Sequence, residues 1–116
     1  MIKVIIAGGR DFDDYHRLCR VCDKFLKDQN NVEIVSGGCK GADLLGERYA
    51  AERNYPIKQF PADWRRYGKS AGLKRNNEMA TYADALIAFW DGESKGTKHM
   101  IELATKAGLK VKVIYF

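Results

Sequence analysis

Apolar residues fall along this chain in two rhythms. The first is the short run with little polar interruption, at Ile2–Ala7, Val32–Val35 and Ala85–Trp90. Runs of this length without alternation mark strands covered on both faces. Two mixed runs, Ile57–Phe60 and Lys110–Phe116, complete a set of five. In the last, Lys110 and Lys112 alternate with Val111 and Val113, as suits a sheet edge. The second rhythm is helical. Leu18, Val21, Cys22, Phe25 and Leu26 make an apolar stripe in a helix expected over about Asp14–Lys27, capped by Asp13 or Asp14. Further helices are expected over about Ala42–Arg53, Leu73–Tyr82 and Thr97–Ala107. Asn54-Tyr55-Pro56 ends the second, and Gly108 stands where a helix C′ glycine would. Pro61–Gly72 has no period and is expected to be a long loop.

Strands alternating with helices predict an α/β domain spanning residues 1–116, a five-stranded parallel sheet between helical layers in a three-layer αβα arrangement. Right-handed crossovers leave few topologies. The order 3-2-1-4-5 makes the two most apolar strands, the first and fourth, central neighbours. Ligands of such sheets sit at the carboxyl ends of the strands, where the order reverses.

Four strand-to-helix loops reach that edge: Gly8–Phe12, Ser36–Asp43, Pro61–Glu78 and Asp91–Lys98. Most of the chain's glycines lie in them, whereas the connections at the other edge are short and polar. In Val35-Ser36-Gly37-Gly38-Cys39-Lys40-Gly41-Ala42-Asp43 a strand passes through glycines into a helix start. Uncovered backbone N–H groups and the positive end of a helix make such a turn a site for an anion, most often a phosphate. Asp91-Gly92-Glu93-Ser94-Lys95-Gly96-Thr97 is a second loop of the same kind.

Charge sharpens this picture. The 116 residues carry a formal net charge of +5, and the segment Pro61–Glu78 holds a large share of the excess through Arg65, Arg66, Lys69, Lys74 and Arg75. Anionic partners are favoured, nucleotides or nucleic acid among them. No apolar run approaches the length of a membrane span, and no leader pattern opens the chain, so a cytoplasmic protein is expected. Three cysteines without a leader point to free thiols. His16, Cys19 and Cys22 recur every three residues, but a structural zinc needs four ligands, so no metal site is expected and Cys22 reads as core.

Each loop also has a plain structural reading. Gly8-Gly9 reads as a tight turn, Ser36–Asp43 as an ordinary turn, and Ser94, Gly96 and Thr97 as N-capping. Trp64 and Tyr67 read as loop packing, and Trp90 as a core plug as readily as a base platform. Neither glycine loop is a GxGxxG fingerprint or a Walker loop. It is their convergence on one edge that favours a binding site.

Taken in order, Gly8-Gly9-Arg10-Asp11-Phe12, Ser36–Asp43, Pro61-Ala62-Asp63-Trp64 with Tyr67-Gly68, Arg75-Asn76 with Met79, Ala83-Asp84, and Phe89-Trp90-Asp91-Gly92 with Ser94-Lys95-Gly96-Thr97 resemble the YspA-like family of the SLOG superfamily. The resemblance covers essentially the whole chain. It implies a Rossmann-like sheet that binds a nucleotide or nucleotide-derived small molecule, with no further cofactor, in a homo-oligomer. On this reading Gly37, Gly38, Lys40 and Gly41 contact one phosphate, while Ser94, Gly96 and Thr97 contact another or a ribose. Arg10 and Arg75 neutralise charge, Trp64 and Tyr67 cover the base, and Asp43 caps or orients. Gly8, Gly9, Ser36, Asp63, Asn76, Asp91, Gly92 and Lys95 complete the expected binding set.

Two relatives of that family frame alternatives. The LOG-type nucleoside-monophosphate phosphoribohydrolases are similar at Arg75, Met79, Asp84, Gly96 and Thr97. His99 and Met100 stand where their helix glutamates would be, and Asn76 replaces a lysine. Glycosidic cleavage wants a carboxylate near an oxocarbenium-like centre, so Arg75, Glu93 and Glu102 are the catalytic candidates, with Asp91 as a substitute. The DNA-processing proteins carry a loop similar to Ser36–Asp43, which implies single-stranded nucleic acid as a further alternative.

Overall fold

The computed structural model describes residues 1–116. Five parallel strands, β1 (Ile2–Gly8), β2 (Val32–Ser36), β3 (Ile57–Gln59), β4 (Ala85–Trp90) and β5 (Lys110–Tyr115), form one sheet in the order β3-β2-β1-β4-β5. This is the expected order, and the reversal lies between β1 and β4, whose pairing runs from Val4 opposite Ala85 to Gly8 opposite Phe89.

Strand alternation sorts the core into two halves. Val4, Ile6, Val32, Ile34, Ala85, Ile87 and Phe89 face helices α1 (Tyr15–Leu26) and α2 (Ala42–Glu52). Ile5, Ala7, Val35, Leu86 and Ala88 face the opposite layer, where Met79 and Ala80 of α4 (Ala71–Tyr82) and Met100 and Ala104 of α5 (Lys95–Lys106) cover them. The stripe of α1 packs as its period implies, with Leu18, Cys22 and Leu26 buried. α2 comes close to the sheet at Gly46, where a Cβ would stand 2.8 Å from Ile6.

At the amino edge Asp84 joins strands. Its carboxylate accepts the Lys3 N–H at 2.9 Å, and its own N–H donates to the Lys3 carbonyl at 2.8 Å. Asp84 therefore stands at the far edge from the carboxyl-end loops, with a structural task. No helix is long and apolar enough to cross a membrane.

The segment Pro61–Gly72 departs from the expected loop. It holds a four-residue helix, α3 (Trp64–Tyr67), and a 3₁₀ turn, Gly68–Ser70, that leads straight into α4. Asp63 caps α3 by accepting the Arg66 N–H at 3.1 Å, and Ser70 Oγ donates to the Tyr67 carbonyl at 2.9 Å. Neither turn buries a residue, so no apolar period marks it. α5 begins at Lys95, two residues earlier than the pattern suggests, because its exposed first turn carries no apolar signal either.

Candidate functional site

The carboxyl ends of β1 and β4 open into a crevice of about 360 Å³. Gly8, Gly9 and Arg10 of the first loop form one wall. Gly8 lies so close to the Phe89 carbonyl that no side chain fits, and a Cβ on Gly9 would stand 2.8 Å from the Phe116 ring. That ring packs edge-on to Phe12, 5.0 Å between centroids, and Phe12 stacks on Phe89 at 4.5 Å. Packing thus requires the glycine at Gly8 and seats the Phe116 ring against Gly9, and both leave backbone bare at the crevice.

The Ser36–Asp43 loop differs from its expected role. Ser36 Oγ accepts the Gly38 N–H at 3.1 Å and donates to Glu47 at 2.7 Å. Asp43 accepts the Cys39 N–H at 3.3 Å, and the Gly9 carbonyl accepts the Ala42 N–H at 3.3 Å. These donors are satisfied from within the loop and by the first loop, with the carboxylate of Asp43 at the helix start where a phosphate was expected. Gly41, at φ 88°, packs against the Gly9 carbonyl and the Arg10 backbone, a conformation and a closeness that both demand glycine. Lys40 is exposed, and neither it, Ser36 nor Gly41 lines the crevice. Gly37 and Gly38 face a neighbouring hollow instead.

What the loop does supply is Asp43, 5 % exposed at the floor. Burial pushes its carboxyl up to about 6, against the opposing pull of the Cys39 N–H and the nearby Arg75 guanidinium.

Arg75 comes from α4 and is 9 % exposed. Its Nη1 donates to the Gly37 carbonyl at 2.7 Å, its Nε to Asn76 Oδ1 at 3.1 Å, and its Nη2 to Cys39 Sγ at 3.6 Å. It belongs to neither ion pair of the chain, Arg48–Glu52 or Arg53–Asp23, both on the surface. The guanidinium is hydrogen-bonded to neutral groups, with the Asp43 carboxylate near but not in contact, an arrangement that can receive an anion. Asn76 braces the arrangement. Its Nδ2 reaches the Gly96 carbonyl at 3.3 Å and His99 Nδ1 at 3.2 Å, tying Arg75 to the start of α5.

That helix start has the open character expected of the earlier loop. Ser94 is the N-cap, but its Oγ pairs with Thr97 Oγ1 at 3.3 Å and caps no backbone N–H of the first turn, while Ser94, Gly96 and Thr97 line the crevice. A Cβ on Gly96 would meet nothing within 4 Å. Asp91 sets the turn by accepting the N–H groups of Glu93 and Ser94, both at 2.8 Å. Those two bonds hold its carboxyl below the usual range. Trp90 Nε1 donates to the Ser94 carbonyl at 3.0 Å, and the indole lies beside Tyr115, outside the crevice lining.

Residues 2–67 match the YspA, cpYpsA-related SLOG family. The chain is also 36% identical over 118 residues to the Gene 61 protein of Mycobacterium phage D29, covering 96% of this chain and 94% of that protein. The chain belongs to the YspA, cpYpsA-related SLOG family. Among solved structures, DNA processing protein A from Helicobacter pylori, described there for its single-stranded DNA binding mode, superposes with a TM-score of 0.71 at 21% identity. The match takes in 97% of this chain and 64% of that chain, and at that identity the likeness is one of fold.

In this SLOG chain the crevice gathers Gly8, Gly9, Arg10, Asp43, Trp64, Arg75, Asn76, Asp91, Ser94, Gly96 and Thr97 from the expected set. Asp63, Tyr67, Gly92 and Lys95 stand outside its lining. Asp63 is engaged as the α3 cap, and Tyr67 has Arg66 and Lys74 over its ring, leaving the exposed Trp64 as the available aromatic. The carboxylates Glu93 and Glu102 are both exposed and outside the lining. On α5 the buried face is Thr97, Met100 and Ala104, which turns Glu102 away. Cys39, Lys69 and Met100 line the crevice without having been expected to bind, Met100 having been noted only where a relative's helix glutamate would stand. Lys69 was visible only as part of a basic segment, and Cys39 only as a residue between glycines.

Proposed function

We propose that this chain binds a nucleotide-derived small molecule in the crevice between the β1, α4 and α5 ends. The phosphate lies at the first turn of α5 within reach of Arg75, the base stacks on Trp64, and Asp43 accepts a ribose hydroxyl. The observation that carries this reading is the buried Arg75 guanidinium, without an ion-pair partner, opening into the same cavity as a helix start whose backbone N–H groups take no side-chain cap. The volume, about 360 Å³, lies in the range of small-molecule pockets. Thermal-shift titration of the full chain with nucleoside mono- and diphosphates tests it. A ligand at 100 times its Kd stabilises by about 2.7 kcal/mol, and Arg75→Lys, which keeps the charge but loses the planar fork, is expected to weaken binding tenfold or more. Failure of every nucleotide to raise the melting temperature overturns the reading.

A second reading, cleavage of an N-glycosidic bond, is favoured by one feature. Asp43 is a crevice carboxyl shifted up to about 6, poised for proton transfer near neutrality. Asp43, rather than Glu93 or Glu102, would then be the acid or base, and release of free base from a nucleoside monophosphate that stops in Asp43→Asn tests it. Single-stranded nucleic acid, as in the DNA processing protein, would instead require binding that falls steeply with salt.

A further inference from the structure

A second hollow, of about 340 Å³, adjoins the crevice on the β3 side. It is lined by Gly37, Gly38, Gln59, Pro61 and Ala62, none of which touches the first chamber. Three residues line both hollows: Cys39, Trp64 and Arg75. They form the partition. Each chamber alone lies at the small end of the range for ligand pockets, and together they double it.

The partition has the chemistry of a bridge site. A guanidinium carries five N–H donors. Three are engaged, Nε by Asn76, one on Nη1 by Gly37 and one on Nη2 by Cys39, which leaves one N–H on each terminal nitrogen. A planar cation with a donor to spare on each terminal nitrogen can serve the oxygens of a bridging phosphate or pyrophosphate. Trp64, 52 % exposed, lines both hollows with Arg75, so its indole is available to a ring in either chamber.

Resting on the nucleotide reading above, we infer that the ligand is a free dinucleotide: two nucleosides joined through a pyrophosphate or phosphodiester that crosses the partition at Arg75. One half occupies the crevice under the start of α5. The other lies between the Gly37-Gly38 turn and Pro61-Ala62.

The test uses the full chain and isothermal titration with AMP, NAD as the pyrophosphate-bridged probe, and a diadenosine phosphodiester. Ala62→Trp fills the second chamber from a half-buried position that does not touch the first. Ala62→Leu is the milder variant should the larger ring disturb folding, which the melting temperature of the free protein reports. At least one bridged probe is expected to bind ten times more tightly than AMP, and the Ala62 variants are expected to bring it to the AMP level while leaving AMP unchanged. Equal binding of AMP and both bridged probes overturns the inference and leaves the nucleotide reading standing. So does equal weakening of all three by the Ala62 variants. Binding of none of the three, with no other nucleotide stabilising the fold, removes the nucleotide reading itself. Tighter binding per site to a long single strand than to either bridged probe, lost steeply with salt, also overturns the free-dinucleotide assignment.

Discussion

Asp43 carries a testable electrostatic signature. Burial raises its carboxyl to about 6, whereas in the unfolded chain it titrates near 3.8. Between those values the folded state binds more protons than the unfolded one, so stability falls as pH rises through that window and levels off above it. The full swing is about 3 kcal/mol, at 1.36 kcal/mol per pKa unit. Asp43→Asn removes the titration and keeps an oxygen for the Cys39 N–H. The stability of wild type relative to the variant is therefore expected to be greatest near pH 4 and to decline towards pH 7, read from urea unfolding at a series of pH values. Parallel curves would mean that Asp43 titrates alike in both states. At this scale the sequence was legible where a residue type admits little choice. Arg75 and Asp43 were both expected at the carboxyl edge, and both line the crevice there. Glu93 and Glu102 were misplaced because a carboxylate's presence near a glycine loop says nothing of the helix phase that aims it. Lys40 lies exposed and outside the crevice lining, which a lysine between glycines does not reveal in sequence.

Between the two glycine loops the division of labour is a property of elements. The α2 start is closed by Asp43 and by contact with the first loop, whereas the α5 start is open and is held in place from behind by Asp91, Asn76 and Trp90. Removing the Asp91 carboxylate in Asp91→Ala frees the N–H groups of Glu93 and Ser94 and lets the turn before α5 wander. Nucleotide affinity is expected to fall about tenfold through lost preorganisation, while the melting temperature changes little because the turn is exposed. Titration calorimetry reads the first and thermal unfolding the second. Unchanged affinity would show that the α5 start does not hold the anion. Both loops read alike as sequence, a run of glycines between a strand and a helix, and only their hydrogen bonds separate them. The α3 turn lay beyond reach for a related reason: it buries nothing, so its caps, Asp63, Gly68 and Ser70, were the marks it could leave.

The topology of the whole molecule follows from where the continuous apolar runs fall, since placing β1 beside β4 buries both and puts the reversal between them. The consequence is a sheet whose two faces do different work. The α1–α2 face is core, whereas the α4–α5 face is core below and crevice above, with Met79 and Met100 belonging to both. Truncation on the two faces should separate stability from binding. Leu18, fully buried against α2 and β1, and Met100, 1 % exposed beneath the crevice, are of similar size. Leu18→Ala and Met100→Ala are each expected to cost 2–5 kcal/mol, about what a buried large-to-small change costs. Only Met100→Ala removes floor from beneath Asn76 and the start of α5, so it alone is expected to weaken nucleotide binding, by tenfold or more, when both variants are titrated at a temperature where they remain folded. Equal loss of affinity in the two variants would mean that binding tracks global stability and that the crevice is not supported by its own layer of the fold. Retained affinity in both would mean that Arg75, Asn76 and the Asp91 turn hold the site without the methionine floor.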